Sequence, residues 1–477
     1  MHMQDLWNTV SRDRVISRIA GALSDNTYLV GGCVRDILLK KTPSDYDIVC
    51  FSDVEQLAEN IARMFDANAF WVDKQRQVAR LNIPSKGIMV DVSAPKGEDI
   101  RTDLLSRDIT INAIGLDIRQ KKLVDPANGR SDLNSGIIRV ISEKNLKDDP
   151  LRVLRCLRLA LELGFDIEPS TRAMLRRNAH LVDSAAPERI GYEFMKALSI
   201  SGGSRLFTLM EGLSLIGVFF PQYAYAKDMG QGRHHRWPLL RHVILTAEEV
   251  DGLISKAESY LEGIGDYFLK EVSLGVTRGA LLKLSAFLHD IGKSESRIET
   301  PDGGVHFYGH AARGKDIARA FCKRIRMPEK AERIVIGIVA RHMALLELAC
   351  TGETSRRALA RFLDASKGFV PEMLLHALAD AKATGKPAEH VGSGPFMEAL
   401  IRRVWEYYRG EYSVQKARPL LNGKDVMEIL GCPSGPHVGK ALNMLMDARA
   451  DGILKTKEDA INYIISRKRA ILHKTGD

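Results

Sequence analysis

Tyr28-Leu-Val-Gly-Gly-Cys-Val-Arg-Asp-Ile-Leu-Leu39, followed a few residues later by Ser44-Asp-Tyr-Asp-Ile-Val-Cys50, decides how this chain is read. The first run begins apolar enough for a strand, breaks at Gly31 and Gly32, and resumes at helical spacing. At such a junction bare backbone N–H groups can approach a phosphate and the helix dipole favours its charge. Glycine serving only its backbone angles is the alternative at any strand-to-helix turn. Arg35 falls one turn into the helix. In the second run Asp45 and Asp47 alternate with Tyr46 and Ile48, so the two-residue period of a strand aims both carboxylates at one side. Two carboxylates beside a phosphate-binding turn suit two Mg²⁺ ions for in-line phosphoryl transfer, since hard cations take oxygen ligands and keep positions for substrate phosphates. A solvated strand face is the alternative. Asp91, in the apolar run Ile88 to Ser93, would be costly to bury without a partner and is the expected third ligand.

Outward from this core, the short β-type runs Tyr28 to Val30, Tyr46 to Phe51, Val78 to Ile83 and Ile88 to Val92 make the first 135 residues mixed in type. From Asp148 onward the pattern is almost wholly helical. The 477 residues exceed one ordinary core. Hydrophobic content of 45% with 6% aromatics fits a helix-rich globular protein, and no stretch is read as reaching the ~18 apolar residues of a membrane span. No membrane partner is expected, and without an apolar leader a cytoplasmic location is. Six scattered cysteines lack a C-x-x-C pair, which argues against a zinc finger or disulfide framework. The formal charge of +9 points to a polyanionic partner.

Asp148-Asp-Pro-Leu-Arg-Val-Leu-Arg-Cys-Leu-Arg158 reads as a helix start, with acids in its first turn and Pro150 near the first helical position. Arg152, Arg155 and Arg158 then share neighbouring parts of one face, opposite a stripe of Leu151, Leu154, Leu157 and Leu161.

Together these segments resemble the class II tRNA nucleotidyltransferase and bacterial poly(A) polymerase family, which is built on a polymerase-β-like head. G-G-x-V-R-D with S-D-Y-D is similar to its motif A, and Asp103 to Ile114 to its motif B, which implies ribose contacts for Arg107, Asp108 and Asn112. The family's doubled arginine is Ser106-Arg107 here. Asp125 to Leu133 resembles the hinge motif C, and Glu188 to Lys196 the neck-supporting motif E. The helix start resembles motif D, in which an Asp and an Arg act as an amino-acid template, here Asp149 and Arg152; Arg155 and Arg158 are then available for the base or triphosphate. The chemistry agrees, because an acceptor-only Asp beside a donor-only Arg suits the amine and ring nitrogen of cytosine or adenine. Uracil and guanine would leave polar groups unpaired at ~1 to 3 kcal/mol each.

A second set follows: His242, the adjacent His289-Asp290, His310, His342 and Asp380, placed at helices or helix starts. Their order resembles the signature of HD phosphohydrolases. The imidazole and carboxylate mixture suits a divalent transition metal or Mg²⁺ rather than a closed structural zinc site.

The resemblance thus implies an α+β chain: a nucleotidyltransferase head (1–135), a helical neck (136–225) for nucleotide selection and RNA binding, a helical HD domain (226–390) and a helical tail (391–477) for tRNA binding. Gly31, Gly32 and Arg35 would hold the triphosphate, Asp45 and Asp47 the catalytic Mg²⁺, and Asp91 would help activate the RNA 3′-OH. The implied partners are the tRNA acceptor arm and 3′ end with ATP and CTP; the oligomeric state stays open. CCA, CC or A are all products of the family, and only Val92 to Thr102 is available for the loop associated there with A addition. Poly(A) polymerase is an alternative, although its arginine-rich signature is not evident in Val72 to Arg80. A phosphohydrolase with an inactive, RNA-binding head is another, against which the intact Asp45, Asp47 and Arg152 argue.

Overall fold

The computed structural model describes residues 3–83, 87–232, 236–301, 303–352, 355–387, 390–417 and 419–472. It contains two compact units, one of residues 1–197 and 209–218, the other of 198–208 and 219–477.

The first unit is organised by a seven-stranded sheet. Its strands are β1 (Thr27–Val30), β2 (Asp45–Cys50), β3 (Ala69–Asp73), β4 (Val78–Ile83), β5 (Ile88–Ser93), β6 (Gly115–Asp117) and β7 (Lys122–Val124), in spatial order β3-β4-β5-β2-β1-β6-β7. β2 and β5 pair in parallel; the other neighbours are antiparallel. β3, β6 and β7 were not expected from the sequence. In β2, Tyr46 and Ile48 are buried and Asp45 is exposed, the alternation expected of a strand with one face on a core. Helices α1 (Gly32–Leu38), α2 (Val54–Phe65) and α3 (Ile100–Leu105) accompany the sheet. Val54, Leu57, Ile61 and Phe65 give α2 a buried stripe, and Asp53 caps its N-terminus by accepting from the Gln56 N–H.

The helix start at Asp148 needs correction. Asp148 closes a short helix, Glu143–Asp148, Asp149 is extended (φ −144°, ψ 91°), and α4 begins only at Arg152 and runs to Leu163. Pro150 explains the break, since the residue before a proline avoids helical angles. The buried face of α4 is also wider than a leucine stripe, because Val153, Cys156, Leu159 and Arg158 are buried too. Helix α5 (Pro187–Ser199) follows.

The second unit is mostly helical: α6 (Leu239–Ile254), α7 (Arg278–Leu288), α8 (His310–Arg324), α9 (Glu329–Arg341), α10 (Ala344–Thr351) and α11 (Val370–Thr384). A two-residue hairpin, β8 (Ile298–Glu299) with β9 (Val305–His306), interrupts them. Contrary to the sequence expectation, the run Glu329–Thr351, which spans α9 and α10, is long and apolar enough by length and composition to cross a membrane. It also carries His342, and Ala331, Val335, Ile338 and Val339 on α9 are buried. Three tail helices, α12 (Gly423–Leu430), α13 (Pro436–Ala450) and α14 (Lys457–Leu472), close over Val426, Leu430, Ala441, Leu445 and Ile464.

Candidate functional site

In the first unit the sheet register builds the site. Asp47 lies opposite Asp91 across the β2–β5 pair, and Asp91 lies opposite Arg80 across β5–β4. Register partners project from the same face, so one row crosses the sheet as Asp47, Asp91 and Arg80. Arg80 grips Asp91 with both ends of its guanidinium, Nε to Oδ1 at 2.7 Å and Nη2 to Oδ2 at 2.8 Å. Burial, and secondarily Asp91, raise the Asp47 carboxyl above its ordinary value, against the pull of Arg107. Asp45 stands at the exposed start of the strand.

Gly31 sits against this row. Its φ is +78°, and a Cβ there would meet Asp47 Oδ2 at 2.7 Å and Arg107 Nη1 at 3.0 Å. The glycine therefore allows the turn to press on the carboxylate. Gly31→Ala is expected to displace Asp47 and to destabilise the fold, because φ +78° with ψ −142° is backbone that an L side chain adopts only at a cost of about 1 to 3 kcal/mol, and the added Cβ clashes with the carboxylate. The thermal midpoint and the position of Asp47 in the variant check this; a parent-like midpoint with Asp47 unmoved would mean that the turn does not depend on glycine.

Arg107 is braced by the buried Asp103 (Nη2 to Oδ2, 3.1 Å), and Ser106 donates to the Asp103 carbonyl. Arg35 is buried and turned inward, donating to Asn112 Oδ1 at 3.0 Å and to Asp36 at 2.9 Å. Asn112 passes the chain on to Asp108 (3.2 Å), which is also paired with Arg155 at 2.8 Å. Burial pushes the Asp108 carboxyl up, but Arg155, the Ile109 N–H and Asn112 hold it below the usual carboxylate range. Arg158 is buried between Glu193 on α5 (2.6 Å) and Glu162. Its guanidinium thus joins α4 to α5. Arg152 Nη1 donates to the carbonyls of Ser106 (2.9 Å) and Arg107 (3.1 Å), while Asp149 is gripped by Arg189 (Nη2 to Oδ2, 2.9 Å). A cleft of about 1000 Å³ is lined by Asp45, Asp47, Asp91, Arg107, Asp149 and Arg152 together. Arg80 and Arg189 are residues that the sequence reading missed. Only Arg80's place in the strand Val78 to Ile83, and Arg189's in the stretch Glu188 to Lys196, could have marked them.

The second unit brings all six expected ligands to one place. Asp290 Oδ2 lies 3.2 Å from His289 Nε2 and 3.6 Å from His242 Nε2, and His242 Nε2 is 3.0 Å from Asp380 Oδ1. The other oxygen, Asp290 Oδ1, lies 3.6 Å from His310 Nε2 and 3.5 Å from His342 Nε2. His289, His342 and His310 each hold Nδ1 at 2.8 Å from the carbonyl three residues back, of Ala286, Val339 and Phe307 respectively. For His289 and His342 that carbonyl belongs to the last turn of α7 or α9, where helix carbonyls lack intrahelical partners. With Nδ1 as donor, each Nε2 carries a lone pair, and those of His310 and His342 stand only 3.1 Å apart. His289 Nε2 and Asp380 Oδ1 are buried without a hydrogen-bond partner. Converging lone pairs and orphaned buried acceptors fit divalent cations: one at His242, His289 and Asp380, one at His310 and His342, with Asp290 between them. Among the described residues these are the two groups with all ligand atoms within 4.8 Å; the head carboxylates form no such group, and Asp91 is engaged by Arg80.

Gly292 permits this closeness, since a Cβ there would meet the His310 carbonyl oxygen at 2.1 Å. Although burial pushes Asp290 up, Lys293 (2.7 Å), His289 and His342 hold it well below the usual carboxylate range. His376, one turn before Asp380, is a further residue missed by the sequence reading. It is fully buried, its ring edges against His289 and His342, and burial holds it neutral well below the ordinary histidine value.

Residues 27–139 match the poly(A) polymerase head domain, 164–227 the probable RNA and SrmB-binding site of polymerase A, and 256–380 the HD domain. The CC-adding tRNA nucleotidyltransferase of Thermus thermophilus is 31% identical, over 92% of this chain and 93% of that protein. The A-adding tRNA nucleotidyltransferase of Deinococcus radiodurans is 29% identical, over 91% and 94%. The solved structure of the Thermotoga maritima CCA-adding enzyme complexed with tRNA shares the fold, with a TM-score of 0.63 at 20% identity over 98% of each chain.

Proposed function

Since the chain belongs to the class II tRNA nucleotidyltransferase family and is an enzyme of it, we propose that it extends tRNA 3′ ends with C, A or both, taken from CTP or ATP. The observation that carries this reading is the single cleft shared by the carboxylates Asp45, Asp47 and Asp91 and the base-reading pair Asp149 and Arg152. Mg²⁺ held by Asp45 and Asp47 would neutralise the triphosphate and polarise the attacking hydroxyl. The RNA 3′-OH attacks the α-phosphorus, the bond to the β-phosphate breaks, and pyrophosphate leaves. Asp91, oriented by Arg80, takes the hydroxyl proton. The Gly31-Gly32 turn and Arg107 bind the phosphates, and the chain from Arg35 through Asn112 and Asp108 to Arg155 holds the nucleotide wall in place. Arg158 supports α4 rather than touching the nucleotide. The helices after residue 135 divide between nucleotide selection, the HD site and tRNA binding, gripping the acceptor arm by shape and phosphate contacts.

Of the three products in the family, CC fits best, because only residues 94–99 connect β5 to α3. Incubating the protein with tRNA ending at the discriminator base, supplying each labelled NTP alone and together, and sequencing the ends tests the proposal. Two added cytidines are expected; no addition with any NTP overturns it.

Base choice gives a finer test. Arg152→Ala removes the donor to the ring nitrogen and should lower CTP use by about ten- to a hundredfold, a charged hydrogen bond being worth ~1.5 to 3 kcal/mol. Asp149→Asn can donate as well as accept and should raise UTP use relative to CTP. If both variants bind tRNA normally yet keep the parent's CTP-to-UTP ratio, the pair does not read the base.

The HD site is proposed as a metal-dependent phosphohydrolase acting on RNA ends. Its support is the six-ligand arrangement with Asp290 at the centre. Mg²⁺ or a divalent transition metal would supply an activated water and charge neutralisation on the phosphate ester.

A further inference from the structure

Resting on the phosphohydrolase reading of the HD site, we propose that this site includes a nucleobase subsite, in which a base stacks on Tyr308 while its phosphate lies at the Asp290 cluster. The cluster opens into a cavity of about 320 Å³, a volume suited to one nucleotide rather than to a helix. Asp290, His310 and His342 line it together with His306 and Tyr308.

Tyr308 is 69% exposed. A lone exposed aromatic is ordinary on a protein surface. Tyr308 differs in three respects. Its ring is already stacked on that of His306, with centroids 5.4 Å apart and planes 8° from parallel, so one face is supported. It lines the same cavity as the metal-ligating groups. It is also tied to them, because the carbonyl of Phe307, between the two platform rings, accepts from His310 Nδ1 at 2.8 Å. Tyr308 and His310 are two residues apart, at most about 7 Å between their Cα atoms, and both line the cavity.

The charges in the cavity agree with a phosphate at the cluster. Lys293 Nζ lies over the Phe307 ring at 5.4 Å and 2.7 Å from Asp290, and Lys386 is part of the cavity wall. A ligand carrying both an aromatic ring and a phosphate one sugar apart satisfies both ends. The terminal nucleotide of an RNA and a free nucleotide share that chemistry.

The test uses the full-length protein with Mn²⁺ and measures binding of 3′-AMP, of a short RNA ending in a 3′-phosphate, and of inorganic phosphate by calorimetry. Tyr308→Ala should weaken binding of the base-carrying probes by about five- to a hundredfold, the range for stacking one base on one aromatic ring, and leave inorganic phosphate unchanged. Tyr308→Trp should restore it, since stacking needs a ring and not a hydroxyl. A response by the RNA alone identifies an RNA terminus as the occupant; a response by both probes admits the free nucleotide. Unchanged affinity for both base-carrying probes, or a parallel loss of phosphate binding, overturns the subsite. Hydrolysis of 2′,3′-cyclic AMP separates the two readings. If the parent binds 3′-AMP through Tyr308 but cleaves nothing, the phosphohydrolase reading fails and the subsite stands. If Tyr308→Ala matches the parent in both binding and cleavage, the subsite fails and the phosphohydrolase reading stands.

Discussion

Replacing Asp47 with alanine reduces nucleotide incorporation by about a thousandfold or more, while tRNA affinity changes by no more than a few-fold. The size follows from losing a metal ligand at the reacting phosphate, where charge stabilisation is worth several kcal/mol and each 1.4 kcal/mol is a factor of ten. Asp47 is singled out by position. It stands under Gly31, abreast of Asp91, with Arg107 alongside. Burial raises its pKa, so the ionised carboxylate is costly there, a cost that a divalent cation would relieve. Asp45→Ala should behave alike. Rapid-quench incorporation of CTP with a filter-binding assay for tRNA separates the two quantities, and near-normal incorporation by either variant would show that these carboxylates do not hold the catalytic metals.

Asp290→Ala should abolish metal-stimulated phosphodiesterase activity and bound metal at both positions, yet leave nucleotide addition largely intact. Its two oxygens face different histidine pairs, so one substitution removes the group common to both cation positions. Asp290 is also buried against Lys293, and deleting one partner of a buried pair costs about 3 to 5 kcal/mol. Asp290→Asn is the control, since it keeps the volume. His289→Ala should remove the same activity. Metal content by mass spectrometry and CTP incorporation are read on the same folded protein; loss of both activities together would argue for one shared site.

Much of this was legible because the chemistry is local in sequence. Asp45 and Asp47 declare themselves by strand alternation, and His289-Asp290 by adjacency. What escaped is set by tertiary register. Arg80 becomes part of the head site only because β4 pairs with β5 at Asp91, which no local pattern encodes. His376 hides in an apolar run of α11, where nothing distinguishes a histidine facing a metal site from one satisfied in a core. Arg35 and Arg158 also hold Asn112 and Glu193, partners that lie far along the chain and that no local pattern reveals. The helix boundary at Asp149 was misplaced: the acids and Pro150 suggested a helix start, yet Pro150 keeps Asp149 outside the helix in extended backbone.

The parallel pairing of β2 with β5 also bears on how the molecule reaches its working state. The two strands are joined through α2, β3 and β4, so the pairing closes a long loop and its entropy must be met before any contact rewards it. A slip of one residue would turn Asp91 into the apolar interior and bring Val90 or Val92, both buried in the correct register, out beside Asp47. A misregistered chain is therefore both poorly packed and chemically inert. Selection for a stable sheet and selection for a competent catalyst act on the same hydrogen-bond ladder, so refolding yield and recovered specific activity should rise together.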